Sequence, residues 1–244
     1  MTSEGAVLAT PPDSQAGAIA RIPGALFSPG PTFESIARRP TWLAPLLLWT
    51  AVSVVVTMML IPRIDWERVT RQGLERRHQT VPEDRLPAIV EQSKKIGSVI
   101  SWFFGLAWPA IASLFVAVVI WGSFKAFGWD TSFRQAFGAT THALVPNVLK
   151  ALLFLPIALQ RETIDPEGIG DLLRSNLGFL VERDSAKVVH ALLQSVDIFA
   201  LWSLILLVIG FASAAKVSRK SAAGVVTALW VLLILIKAGW AAMF

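Results

Sequence analysis

The sequence predicts an all-α fold: an integral membrane bundle of five transmembrane helices, with short interfacial and extramembrane helices between them. Three observations carry this expectation. Charged residues are 16% of the chain and hydrophobic residues 54%, against roughly 25% charged in an ordinary soluble domain. The apolar residues run in blocks instead of alternating with polar ones. Each block is long enough to cross a hydrocarbon core of about 30 Å, which takes roughly 20 helical residues. Backbone amides in lipid must pair inside their own segment or in a closed barrel, and blocks this long and uniform are helices.

Five blocks qualify. Residues 42–61 and 97–123 carry no charge, 137–159 carries only Lys150, 191–213 only Asp197, and 221–244 only Lys237. The third is the least uniform, because it also holds His142, Pro146, Asn147 and Pro156. Residues 1–20 are rich in Ala, Ser, Pro, Thr and Gly and are expected to form a disordered tail. Residues 21–244 then form one membrane domain. No small-residue cleavage site follows a short apolar core, so the first span is expected to stay as an anchor.

Five spans place the two termini on opposite sides. One face would gather Arg21, Arg38, Arg39, Lys125, Arg134, Lys216, Arg219 and Lys220, eight cations. The other would hold twelve cations, but in long loops that also carry twelve acids. The density of cations in short loops is the better topogenic signal. The loop with Lys216, Arg219 and Lys220 has no acid, which favours a cytoplasmic N-terminus and a C-terminus on the opposite side. The cations flank membrane spans, so the expected partner is membrane lipid, anionic lipid above all, and not nucleic acid.

The segments between spans have their own signals. Pro29-Gly30-Pro31 opens a short helix on which Phe33, Ile36 and Ala37 share a face. With Arg38 and Arg39 at headgroup level, this reads as an interfacial helix docking on the membrane. Asp65 to Arg77 holds the paired charges of a solvated helix. Thr80-Val81-Pro82-Glu83 has capping-box spacing, so a helix is expected to start there, or near Asp84, and run into the second span. Asp171 is expected to cap a helix bearing Leu172, Leu173, Leu177 and Leu180, and Asp184-Ser185 to cap another that continues into the fourth span.

Charges inside a span cost about 2.5–3.5 kcal/mol on insertion scales and mostly face the bundle. From the rise per residue, Lys150 lies roughly 15 Å deep and Asp197 and Lys237 roughly 10 Å, all in one leaflet. Asp197 can pair with Lys150 or with Lys237, or can cap the fourth span if that span starts late. Snorkelling to the interface is the competing reading for the two lysines. His142 and Asn147 would extend the polar strip along a third span that Pro146 kinks.

Several chemistries are missing from the pattern. The absence of Cys excludes a disulfide framework, a thiolate metal site and a cysteine nucleophile. His78, His142 and His190 are scattered, without acids at metal-ligand spacing. There is no phosphate-binding Gly loop and no nucleophile elbow. No catalytic residue, cofactor or metal is expected.

The pieces also carry a resemblance. Leu26-Phe27-Ser28-Pro29-Gly30-Pro31-Thr32-Phe33-Glu34-Ser35-Ile36-Ala37 precedes the first span, with Pro40 and Pro45 after it. Phe133-Arg134-Gln135-Ala136-Phe137 leads to His142-Ala143-Leu144-Val145-Pro146. Asp197-Ile198-Phe199-Ala200-Leu201-Trp202-Ser203-Leu204 follows, then Leu207 and Gly210, and a last span with Trp230. In this order the chain resembles the Yip-domain family, the Ypt-interacting proteins, in its bacterial membrane form. The resemblance implies a five-helix membrane bundle with a cytosolic N-terminus, with Pro146 and Asp197 at matched positions and no catalytic residue. Eukaryotic members are similar to scaffolds of vesicle traffic that engage prenylated GTPases. The expected function is a non-enzymatic scaffold or membrane-organising protein of the bacterial inner (plasma) membrane, acting in homo- or hetero-oligomers with other membrane proteins. The alternative is a small transporter, channel or lipid-moving protein using the strip of Asp197, Lys150, His142 and Asn147.

Overall fold

In a computed structural model the described residues are 17–182 and 186–243. The expected disordered tail therefore lies outside them for residues 1–16, as does the expected Asp184-Ser185 cap. Among the described residues the secondary structure is helical, with two isolated bridges and no strand. Two short helices, α1 (Arg21–Phe27) and α2 (Pro29–Arg38), precede the first span, α3 (Leu43–Leu60). Helix α4 (Trp66–Arg76) then leads to α5 (Leu86–Ala126). The third span is α6 (Phe133–Ala143) followed by α7 (Pro146–Leu159). A one-turn α8 (Ile169–Leu172) and α9 (Lys187–Ser195) come before the last two spans, α10 (Ile198–Ala215) and α11 (Arg219–Met243). Five segments are long and apolar enough to cross a membrane: Leu43–Arg63, Leu86–Ala126, Phe133–Leu159, Ile198–Ala215 and Arg219–Met243.

Local chemistry sets the ends of these helices. Ser132 and Gln135 form a reciprocal capping box that starts α6, and Trp121 Nε1 donates to Thr131 O at 3.0 Å to fix the preceding turn. The third span breaks at Leu144-Val145, where α7 begins with Pro146 at its first position. A proline there costs no hydrogen bond within α7, but it cannot bond back into α6, so the break is set by Pro146.

Two expectations about helix starts are corrected. The second-span helix starts at Leu86 with no side-chain cap, close to the Asp84 alternative and not at the Thr80 capping box. A start at Thr80 would put Pro87 inside the helix, where it lacks an N–H and clashes with the preceding turn. Starting at Leu86 places Pro87 in the first turn, where it is tolerated. The leucines after Asp171 do not share one helix either. Asp171 lies within α8, Leu173 is extended, and Leu177–Leu180 is a separate 3₁₀ turn capped by the side chain of Asn176. Helix α9 likewise stops at Ser195 and does not run on into the fourth span.

The main core lies toward the end of the bundle that holds α1 and α2. Phe33 and Ile36 are 1% exposed, and α2 packs on α6 and α10. Gln135 Nε2 donates to Ala37 O at 2.9 Å, tying α2 to α6. Arg21 Nη1 donates to Arg39 O and Thr41 Oγ1, strapping α1 over the turn that enters the first span. The face of Phe33 and Ile36 thus meets protein and not lipid, while Arg38 and Arg39 stay exposed. Gly210 makes the docking possible: a Cβ there would stand 3.0 Å from the Phe33 ring. Gly105 does the same for the first two spans, since a Cβ there would collide with the Thr57 side chain.

Phe33→Ala tests this docking. Truncating a fully buried Phe is expected to cost about 3–5 kcal/mol, read as a large drop in unfolding temperature in detergent. A helix lying in headgroups would lose little.

Candidate functional site

Asp197 is the first residue before α10, and it is 3% exposed. A buried carboxylate must be surrounded by donors, because an unpaired charge in an apolar medium is far too costly. An ionised carboxylate has about four lone-pair sites, and four donors reach this one. Oδ1 accepts from the Phe199 N–H at 2.9 Å and the Ala200 N–H at 3.1 Å, the pattern of a helix N-cap. Oδ2 accepts from Lys150 Nζ at 2.9 Å and from the Ser175 hydroxyl. The backbone adds to the clamp: Asn176 and Asp197 form an antiparallel bridge, and the Ile198 N–H donates to Ser175 O at 3.0 Å. One carboxylate therefore caps the fourth span, pairs with the third and pins the loop between them.

Around this clamp lies a wider polar cap at the same end of the bundle. His190 Nε2 stands 3.3 Å from Asp171 Oδ1, and Gln194 Nε2 stands 3.4 Å from the same oxygen. Lys237 Nζ donates to Gln194 Oε1 at 3.0 Å and to Ser195 Oγ at 3.5 Å. Asn176 accepts from the Gly178 N–H and donates to Gly170 O, shaping the turn that carries Ser175. The chain of contacts joins α7, α8, α9, α10 and α11.

The candidate residues are thus divided. Lys150 and Asp197 are brought together. Lys237 joins the same cap through α9, donating to Gln194 and Ser195 and not to Asp197. His142 and Asn147 do not extend the strip. His142 is fully buried with Nδ1 2.9 Å from Gly138 O in its own helix. Asn147 Nδ2 donates to Leu144 O at the Pro146 break. Both are turned to local backbone, and His142, packed inside the protein, keeps Nε2 buried without a hydrogen-bond partner among the described residues.

Sequence reasoning missed Ser175, Asn176, Gln194 and Ser195, and it treated His190 and Asp171 separately. Their spacing along the chain carries no sign of the contact, since Asp171 and His190 meet only because α9 folds back beside the loop. Asn176-Leu177-Gly178 was the available signal, because Asn before such a turn caps its own backbone. Among the described residues no group of three or more His, Asp or Glu is placed to hold a metal.

A family comparison decides the lineage of this architecture: the Yip1 domain matches residues 24–240. The chain belongs to the Yip1-domain family. A Bacillus subtilis (strain 168) relative, membrane protein YknW, is 25% identical over 202 residues, covering 81% of this chain and 80% of its own length. No solved structure matches. The match spans all five membrane segments but ends before the last residues of α11.

The clamp makes a quantitative demand. Removing the carboxylate takes away two cap bonds as well as the ion pair, whereas Lys150→Met leaves Asp197 with three donors. Asp197→Ala is therefore expected to destabilise by about 3 kcal/mol or more, and Lys150→Met by about 1–2 kcal/mol. A double-mutant cycle on detergent unfolding should show a coupling of at least 0.5 kcal/mol, the range for residues in direct contact.

Proposed function

We propose that this Yip1-domain protein is a non-enzymatic scaffold of the bacterial inner membrane, organising other membrane proteins by lateral contact, with its N-terminus in the cytoplasm. The observation that carries this reading is how the intramembrane polar groups are used. Asp197 has all four acceptor sites filled, Lys150 is spent on it, and His142 and Asn147 bond to nearby backbone. The Asp197–Lys150 pair holds the third and fourth spans together, while the His142 and Asn147 bonds stay within their own span. A conduction path needs polar groups that can exchange partners along its length, and here the strip is interrupted between His142 and Lys150.

Charge placement supports the orientation. At the α4 end, cations lie against acids: Arg71 pairs with Glu67 at 3.0 Å and Glu83 at 3.3 Å, and Arg68 with Asp165 at 3.8 Å. At the other end, Arg38 and Lys216 line a shared shallow cavity with Glu34 and Gln135, and Arg219 lies beside Gly30. Basic groups gathered there suit the anionic cytoplasmic leaflet.

Two measurements test the proposal. The chain has no Cys, so Gln79→Cys and Lys220→Cys each introduce a single thiol. In intact cells a membrane-impermeant maleimide should label the first and reach the second only after lysis; the reverse pattern would invert the orientation. In cross-linking of the affinity-purified protein from its native membrane, a reproducible membrane-protein partner is expected, reduced in Asp197→Asn. A folded protein that captures nothing in either form, but moves ions or lipid in liposomes, would replace the scaffold with the transport alternative.

A further inference from the structure

Away from the polar cap, a cavity of about 200 Å³ lies between α5, α7, α10 and α11. Its walls are almost wholly apolar, with Leu207 and Trp230 inside and Phe115 and Leu233 at the rim. The rim residues are 53% and 40% exposed. They lie on membrane spans, so the cavity opens sideways into lipid and not into water. Trp230 stands near the middle of α11, which places the opening deep in the bilayer.

Two polar side chains interrupt the lining. Ser203 is 4% exposed, and its Oγ has no hydrogen-bond partner among the described residues. Asn147 stands in the same wall, and its Nδ2 bond to Leu144 O uses only one of that amide's two N–H groups. The cavity thus offers hydroxyl and amide donors in otherwise apolar surroundings.

Size and chemistry narrow the occupant. One turn of helix, about 10 Å across and 5.4 Å tall, fills roughly twice the cavity, so another span cannot enter. An apolar cavity of roughly 150 Å³ holds one benzene, so this one takes a single substituted six-membered ring. A charged headgroup is excluded by the apolar walls, and a plain hydrocarbon chain leaves the Ser203 hydroxyl buried without an acceptor. A flat ring with carbonyl oxygens meets both conditions, and Trp230 and Phe115 supply aromatic faces for it.

We propose that this cavity binds the head of an uncharged membrane quinone, which enters from the lipid between α5 and α11. Ser203 Oγ–H and Asn147 Nδ2–H donate to its carbonyl oxygens. Binding involves no electron transfer and does not depend on the scaffold reading.

The test uses the full chain in nanodiscs of phosphatidylglycerol and phosphatidylcholine, photolabelled with a diazirine-bearing decylbenzoquinone and mapped by mass spectrometry. Adducts are expected on the cavity-lining residues of α10 and α11, displaced by unlabelled decylbenzoquinone. Ser203→Ala should weaken that displacement by roughly fivefold, the worth of one hydrogen bond. Thermal unfolding in the same nanodiscs serves as the folding control, and Asn147→Leu is the second variant. Three results would overturn the proposal: adducts spread evenly over lipid-facing residues such as Leu232 and Leu235, equal displacement by dioctanoylglycerol, or full-strength displacement with both variants folded.

Discussion

A carboxylate at the head of a membrane helix has to collect its hydrogen bonds from whatever the fold brings near, and in this chain that requirement organises one whole end of the bundle. Asp197 takes two donors from its own helix, one from the third span and one from the loop between. The helix macrodipole adds to the fit, since a negative group is favoured at a helix N-terminus. Lys150 gains as much as it gives, because an ammonium inside a span is expensive until it finds an acid or water. The loop turn is held open at Ser175 by Asn176, which satisfies its own neighbours' backbone. Removing the carboxylate would therefore release three elements at once.

The opposite end is held by packing. Phe33, Phe124 and Phe211 are fully buried, with Phe124 and Phe211 ring centroids 5.2 Å apart. Side chains in lipid gain little from the hydrophobic effect when they leave it, so close fit matters more than apolar area. Small residues along α6 and α10, including Ala136, Ala139, Gly210 and Ala214, let the backbones and the Phe33 ring approach. A protein with a rigid, dry core at its basic end and a hydrogen-bonded clasp at the other has two chemically distinct ways to be loosened.

Spans of uniform apolar residues were legible in the sequence because the bilayer filters by length and composition. Details set by tertiary contact were not. Nothing in hydropathy separates Ala191 from Ile198, yet a helix break falls between them because Asp197 caps one side and bridges to Asn176. Phe33 and Ile36 read as an amphipathic face, but whether protein or lipid meets that face depends on Gly210, which lies far along the chain. The pairing of Asp197 with Lys150 instead of Lys237 was undecided by depth alone, since both lysines lie within reach of the same leaflet. His142 and Asn147 looked like members of one strip because periodicity counts polar residues without seeing which carbonyl each one bonds.

The second span has a mechanical consequence. Helix α5 has 41 residues, about 61 Å of continuous helix, roughly twice the hydrocarbon thickness. Trp66 of α4 lies over Gly97 near its charged end, so the solvated hairpin rides on a long helix anchored in the bilayer, with Pro109 at the middle of its apolar block removing one backbone hydrogen bond. About 36 Å separates the middle of the apolar block from Leu86. A tilt of ten degrees at that midpoint would carry the charged end through about 6 Å. Local thinning of the membrane, or a neighbour leaning on α5, would thus be magnified into motion on the far side, making this helix a lever between bilayer shape and the exposed surface of the protein.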